Sequence, residues 1–354
     1  MVDAYSRRFL AVCLDFDPPS YRACMMLLRE CVRQYHRFPQ TIVVDGGSEF
    51  QSTYFETLLA RYECTKKVRP AAKARFGSIC ERLFNTTNTQ FIHNLRGNTQ
   101  ITKNVRQMTK SVNPKNHVTW TLPELHARLC EYAYEVYDKL RHSTLGQSPR
   151  EAFAAGILKT GKRSHRFIPF DNDFRIATMP STPKGTAKVM TGRGIKINNL
   201  FYWSNSFRNP LVEKCQLPVR YDPYDAGTVY AFVSNRWVIA HSEYFSVFSG
   251  KSEKELMLAT KELRARRSQT SDTGAVSAKQ IAQFLQSAEG DEVLMTQRRR
   301  DRELRAIYQS TGVSSATTYI PGNNYANEGV APEEQSLDSS VAEEFEPEMY
   351  EEYV

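Results

Sequence analysis

Apolar and polar positions along the first 155 residues alternate between two periods. Residues 1–4 and 9–16 (FLAVCLDF) read as two strands joined by a turn at Tyr5-Ser6-Arg7, and Asp17-Pro18-Pro19-Ser20 breaks the pattern. Cys24, Leu27, Leu28, Cys31, Val32 and Tyr35 then recur at the spacing of one helical face, which predicts an amphipathic helix over 21–35. Thr41-Ile42-Val43-Val44, closed by Asp45-Gly46-Gly47, predicts a short buried strand ending in a sharp turn. Phe55, Leu58, Leu59 and Tyr62 mark a second helical face. A basic loop over 66–75 leads into a third helix that begins near Ser78. Residues 95–120 are polar and irregular. Thr121-Leu122-Pro123-Glu124 has the capping-box spacing, and Leu125, Leu129, Tyr132, Ala133, Val136, Tyr137 and Leu140 extend it into one long helix. Strands interleaved with helices predict an α/β layer.

The period changes near residue 160. Residues 186–248 alternate at period two, with turn signals at Gly192, Gly194, Asn198-Asn199 and Asp222-Pro223, as in a small barrel or sandwich of five or six strands. Residues 252–267 and 277–309 return to a charged helical composition that includes Arg298-Arg299-Arg300. From about 311 the chain is Ser, Thr, Gly, Asn and acids, which predicts disorder.

Charge sharpens this division. The net charge is +8, yet residues 331–354 carry nine acids and no Lys or Arg; without them residues 1–330 stand at +17. A basic body suits a polyanion and a separate acidic tail suits a protein partner. No apolar run approaches the roughly 20 residues of a membrane helix, so no membrane partner is expected. The seven cysteines show no C-x-x-C pair, which predicts reduced, buried residues in a cytoplasmic protein.

Two acids carry the candidate chemistry. Asp45 ends a predicted strand, and Glu81 lies in the first turn of a predicted helix, with 35 residues between them. Two-metal phosphoryl transfer draws acidic oxygens from separate elements. Taken singly, Asp45 also reads as a turn residue before Gly-Gly, and Glu81 as the partner of a capping box opened by Ser78. Asp3 reads as turn-stabilising, Glu49 as solvated, and His142 as structural. Lys66, Lys67, Arg69, Lys73 and Arg75 are candidate phosphate contacts. In the barrel, Arg193 and Lys196 are also candidates, with Arg208 and Arg220. These four interleave with Phe201, Tyr202, Trp203, Tyr221, Tyr224 and Trp237, aromatics that otherwise belong to a core.

V-V-D-G-G-S-E-F and, 35 residues on, R-F-G-S-I-C-E-R-L-F together resemble half of the catalytic core of retroviral integrases. D-A-Y-S-R-R-F-L-A-V-C-L-D-F-D-P-P-S and H-S-T-L-G-Q-S-P-R-E-A-F are similar to the transposases of bacteriophage Mu and the TnsB group. The resemblance implies an RNase-H-like α/β core over 1–155, a linker over 156–185, a Mu-type all-β barrel over 186–250, a charged helical segment over 251–310 and a disordered acidic tail over 311–354. It implies a transposase of the Asp-Asp-Glu class that cuts and joins DNA. Asp45 and Glu81 would hold two Mg²⁺ or Mn²⁺ ions. The protein would act as a homo-oligomer on transposon ends and target DNA, with a AAA+ ATPase regulator docked on tail residues Phe345, Met349 and Tyr350. Asp3 matches the second strand of the family's core, not its catalytic first Asp. The first strand and its acid are therefore expected to be missing, and the chain alone to be inactive. The alternatives are a catalytically inactive DNA-binding remnant and an interaction protein acting through its tail.

Overall fold

Helix α1, Tyr21–Tyr35, forms where the stripe predicts it and buries Cys24, Met25, Leu28, Cys31 and Val32. His36 adopts a left-handed conformation and ends the helix by donating its N–H to the Val32 carbonyl at 2.8 Å. Strand β1, Thr41–Val44, pairs in parallel with β2, Thr65–Val68, and helix α2, Thr53–Arg61, crosses between them. A parallel pair needs such a crossover, and α2 makes it useful by burying Phe55, Leu58 and Leu59 against α1. Phe38, Cys64, Phe174 and Ala177 close this cluster, the last two from α6, Asn172–Ala177, which is capped by Asp171.

The computed structural model describes residues 1–70, 78–98, 118–160, 167–269 and 276–308, which fall within the unit Met1–Ala316. Helix α3, Ser78–Gln90, contributes Leu83 to a second cluster with Phe9, Tyr132, Ala133, Tyr134 and Tyr137. Helix α4, Leu122–Glu131, opens with the Thr121–Glu124 capping box. The long helix expected here does not persist. A π turn at Tyr132–Val136 and a 3₁₀ turn at Tyr137–Lys139 follow α4. Tyr132, Ala133 and Tyr134 are consecutive and all buried, more than one face of a regular helix can turn inward. Helix α5, Pro149–Thr160, comes next.

Two further expectations change in this half. Residues 1–4 and 9–16 form a turn with a single antiparallel bridge, Val2 to Phe9, and no extended ladder. The two runs pair briefly, with the Asp3 N–H donating to the Arg8 carbonyl and the Leu10 N–H to the Met1 carbonyl, each at 2.9 Å. Farther along, the Tyr308 hydroxyl takes the Leu14 N–H at 2.8 Å and donates to the Leu14 carbonyl at 2.8 Å. Strand β1 is also not buried throughout. Val44 faces the core but Val43 is 57% exposed, because this two-stranded sheet is packed on one face.

Strands β3 (Thr186–Met190), β4 (Gly194–Ile197), β5 (Leu200–Trp203), β6 (Gln216–Asp222), β7 (Asp225–Val233) and β8 (Arg236–Ser242) close a barrel in the order β3-β4-β5-β8-β7-β6. Val189, Ile195, Leu200, Val219, Val229, Ala231 and Ala240 point inward, and Phe248 of α7, Phe245–Phe248, is fully buried in the same cluster. The Asn198-Asn199 and Ser234-Asn235 loops have positive φ at both residues, as tight hairpins between right-twisted strands require. Helices α8 (Glu253–Gln269), α9 (Ala278–Leu285) and α10 (Ala288–Tyr308) extend that core with Leu256, Ala259, Ile281, Phe284, Leu285 and Leu294. Among the described residues no helix is long and apolar enough to cross a membrane.

Candidate active site and nucleic-acid face

The parallel register places the acids. Val44 is paired with Val68, so Asp45 and Arg69 leave their strands side by side, and the Arg69 N–H donates to the Val44 carbonyl at 2.8 Å. Asp45 Oδ1 accepts the Gly47 N–H at 3.1 Å, the turn role its sequence also allows. Its Oδ2 lies 4.0 Å from Arg69 Nη2. Glu81, in the first turn of α3, accepts from Arg69 Nη1 at 3.2 Å. Two acids far apart in sequence thus meet across one guanidinium, with side chains 50% and 60% exposed. Hard, solvent-accessible carboxylate oxygens converging on a cation suit Mg²⁺ or Mn²⁺. Among the described residues, no group of three or more His, Cys, Asp or Glu could hold a metal ion. An ion held by these two carboxylates would have to complete its shell with water or phosphate.

The other acids have local roles. Asp3 Oδ2 accepts the Ser6 N–H at 2.8 Å and the Ser6 hydroxyl at 2.6 Å, a turn-stabilising role. Glu49 sits on the 3₁₀ turn Ser48–Gln51, against Gly47. His142 accepts the Thr144 N–H at 3.2 Å within its own loop, and burial lowers its pKa.

The basic segment is not one loop. Its first residues are β2, because Lys66 and Lys67 continue the parallel ladder with β1. Lys66 donates to the Phe50 carbonyl at 3.0 Å and pairs with Glu56, while Lys67 is exposed. Lys73 and Arg75 lie outside the described residues. On the barrel, Arg193 and Lys196 are exposed and flank the Phe201 ring at 5.7 and 5.6 Å. They border an open groove of about 1090 Å³ shared with Trp203, His241 and Arg264. Cations beside a half-exposed aromatic ring can hold a phosphate backbone while offering a stacking face. Tyr202 and Tyr221 are buried, and their hydroxyls donate to the Ala226 carbonyl at 2.9 Å and to Glu253 at 3.1 Å. Arg298 pairs with Glu255 at 2.9 Å, and Arg300 lies over Phe16. The cysteines are free, but Cys80 and Cys215 are exposed and Cys13 and Cys130 only partly buried, contrary to the expectation of burial.

A buried carboxylate unites the two outer motifs. Asp138, fully buried, accepts from Arg8 Nε and Nη2 at 3.2 and 2.9 Å and from Arg150 Nε at 2.9 Å. Arg8 comes from Y-S-R-R and lies 5.0 Å from the Phe153 ring, while Arg150 and Phe153 come from S-P-R-E-A-F. Sequence reasoning missed Asp138 because nothing flanking it marks a partner. Arg69 was named only for phosphate; its place one residue past a strand parallel to β1 was the signal for its neighbour.

Residues 34–97 match the family described as TnsB C-terminal domain, and residues 178–240 match the family described as Mu transposase, C-terminal. The first match contains Asp45, Arg69 and Glu81; the second runs from before β3 into β8. Together they support a transposase family and a role in transposition. No curated protein matches the chain.

Proposed function

We propose that the chain belongs to a transposase of the Asp-Asp-Glu class, with an RNase-H-like core in its first 155 residues. The observation that supports this most is the meeting of Asp45 and Glu81 at the carboxyl end of a parallel strand pair. Ligands of α/β proteins collect at that end. Asp45 and Glu81 would hold Mg²⁺ or Mn²⁺, which when bound supplies Lewis-acid activation and charge neutralisation at a phosphodiester. A two-ion form of that chemistry needs oxygen donors beyond these two. Lys67, Arg193 and Lys196 would bind the sugar–phosphate backbone of transposon-end and target DNA, and Lys73 and Arg75 share that role by their place in the sequence. The protein would work as a homo-oligomer. A AAA+ regulator would dock on Phe345, Met349 and Tyr350, which lie outside the described residues.

The test compares metal-dependent cleavage and strand transfer on transposon-end duplex for the unmutated sequence, Asp45→Asn and Glu81→Gln, each carrying an added first strand with a third acid, because the chain alone is expected to be inactive. Loss of chemistry in both variants, with duplex binding within about twofold, is the expected result; cleavage by either variant removes that residue from the site. In parallel, Arg193→Ala and Lys196→Ala should each lower the log–log salt slope of duplex binding by about 1. A second reading is a DNA-binding remnant without chemistry. It is favoured by Asp3, whose carboxylate is taken up by its turn with Ser6, and by the absence among the described residues of any group of three acids that could hold a metal ion. Salt-dependent binding without any metal-dependent cleavage by the form that carries the added strand would select it.

A further inference from the structure

Arg69 faces two acids at once from a backbone position it cannot leave. The β1–β2 register and the 2.8 Å bond to the Val44 carbonyl fix its main chain beside Asp45. Its two terminal nitrogens divide between Asp45 at 4.0 Å and Glu81 at 3.2 Å. A planar fork can reach two carboxylates in this way, whereas a lysine ammonium is a single point charge. The side chain is 32% exposed, so it has room to swing away without unfolding anything.

We propose that Arg69 is a built-in competitor for the divalent cation, neutralising Asp45 and Glu81 until the ion displaces its guanidinium. The proposal rests on the reading of these two acids as cation ligands. With Arg69 in place the trio carries one net negative charge; with its side chain turned out, the acids face an incoming cation with two. Arg69 thereby sets the threshold at which the site loads. The swing also releases a cation within reach of any phosphate that the bound ion attracts, a useful arrangement for a protein that meets polyanions.

Mn²⁺ binding to the full chain without DNA, followed by the electron paramagnetic resonance signal of free Mn²⁺, tests this. Exposed ion pairs of this kind oppose displacement weakly, so Arg69→Gln should tighten Mn²⁺ binding about three- to tenfold. Arg69→Lys should fall between Arg69→Gln and wild type. Asp45→Asn and Glu81→Gln should each weaken binding. Unchanged or weaker binding by Arg69→Gln, while the two acid variants still lose affinity, overturns the competitor role alone. If the acid variants bind Mn²⁺ as wild type does, the ligand reading fails, and the competitor role with it. Thermal melts of each variant confirm that the fold is retained.

Discussion

The barrel and the α/β region solve the problem of cohesion in different ways. The barrel closes on itself, so every strand has two neighbours, and its core is one continuous cluster, mainly aliphatic, that also takes in Tyr202, Phe207, Tyr221 and Phe248. The α/β region has a parallel pair with exposed Val43 and Val68, and its second cluster is largely aromatic. What joins its outer segments is ionic: Arg8 from the amino-terminal turn, Asp138 from the 3₁₀ turn and Arg150 from α5 share one buried carboxylate. A closed sheet tolerates local damage within a shared core. A buried charge network fails when one member is removed.

The largest expected effect follows from that difference. Asp138→Asn leaves the buried Arg8 without its counter-charge, while the partly exposed Arg150 keeps only a long ion pair with Glu135 at 3.9 Å. Stability measured by urea denaturation should fall by about 3–5 kcal/mol, the cost of breaking a buried ion pair from one side. Near-wild-type stability would mean that the aromatic cluster, not the ion network, holds this region. Within the barrel the most vulnerable position is a turn. Gly194 has φ of +78°, and a Cβ there would stand 2.0 Å from the Tyr202 carbonyl oxygen of the paired strand. Gly194→Ala should cost about 2–3 kcal/mol through strain and the displaced β4–β5 pairing. A smaller loss in the same assay would show that the closed sheet absorbs a shifted strand end.

The two regions were also unequally legible in sequence. The barrel's alternation and its Asn-Asn and Gly turns act locally, so the strands at 186–242 could be read directly. The same holds for α1, α2 and the Thr121 capping box, each written in a stripe or cap a few residues long. The amino-terminal runs pair with each other only over Met1–Asp3 and Arg8–Ala11; past that point the Leu14 backbone is satisfied by Tyr308, nearly 300 residues away in sequence, and no local pattern encodes that partner. The helix to residue 140 misled because the apolar positions fit a regular helix, while the burial of three successive residues and of Asp138 demands a wider turn. At the candidate site, Asp45 and Glu81 were legible through their flanks. The pairing of Arg69 was hidden because Lys66-Lys67-Val68 reads as a basic loop until its register against β1 is known.

The smallest expected effect concerns pH, and it belongs to the α/β side. His126 on α4 packs edge-on to Tyr308 of α10 at 6.0 Å, and its ring nitrogens lie 3.7 and 3.8 Å from the Cys130 thiol of its own helix. Burial lowers its pKa below the ordinary 6.5; Glu30 on α1 opposes that shift and Arg33 on α1 adds to it. The folded chain therefore keeps His126 neutral at pH values where the unfolded chain has already protonated it. Its contribution is fully present above about 6.5, declines as pH falls below that value, and levels off once the folded residue also titrates. Other groups titrate on folding too, so the informative quantity is the difference between two proteins. Wild type and His126→Gln should be compared by urea denaturation at pH 7.5, 6.5 and 5.5. Wild type should lose more stability across that range, and the variant's profile should be flatter by up to one proton's worth of linkage. Parallel profiles would show that His126 titrates alike in both states, and that the contact between α4 and α10 opens to water before the rest of the fold.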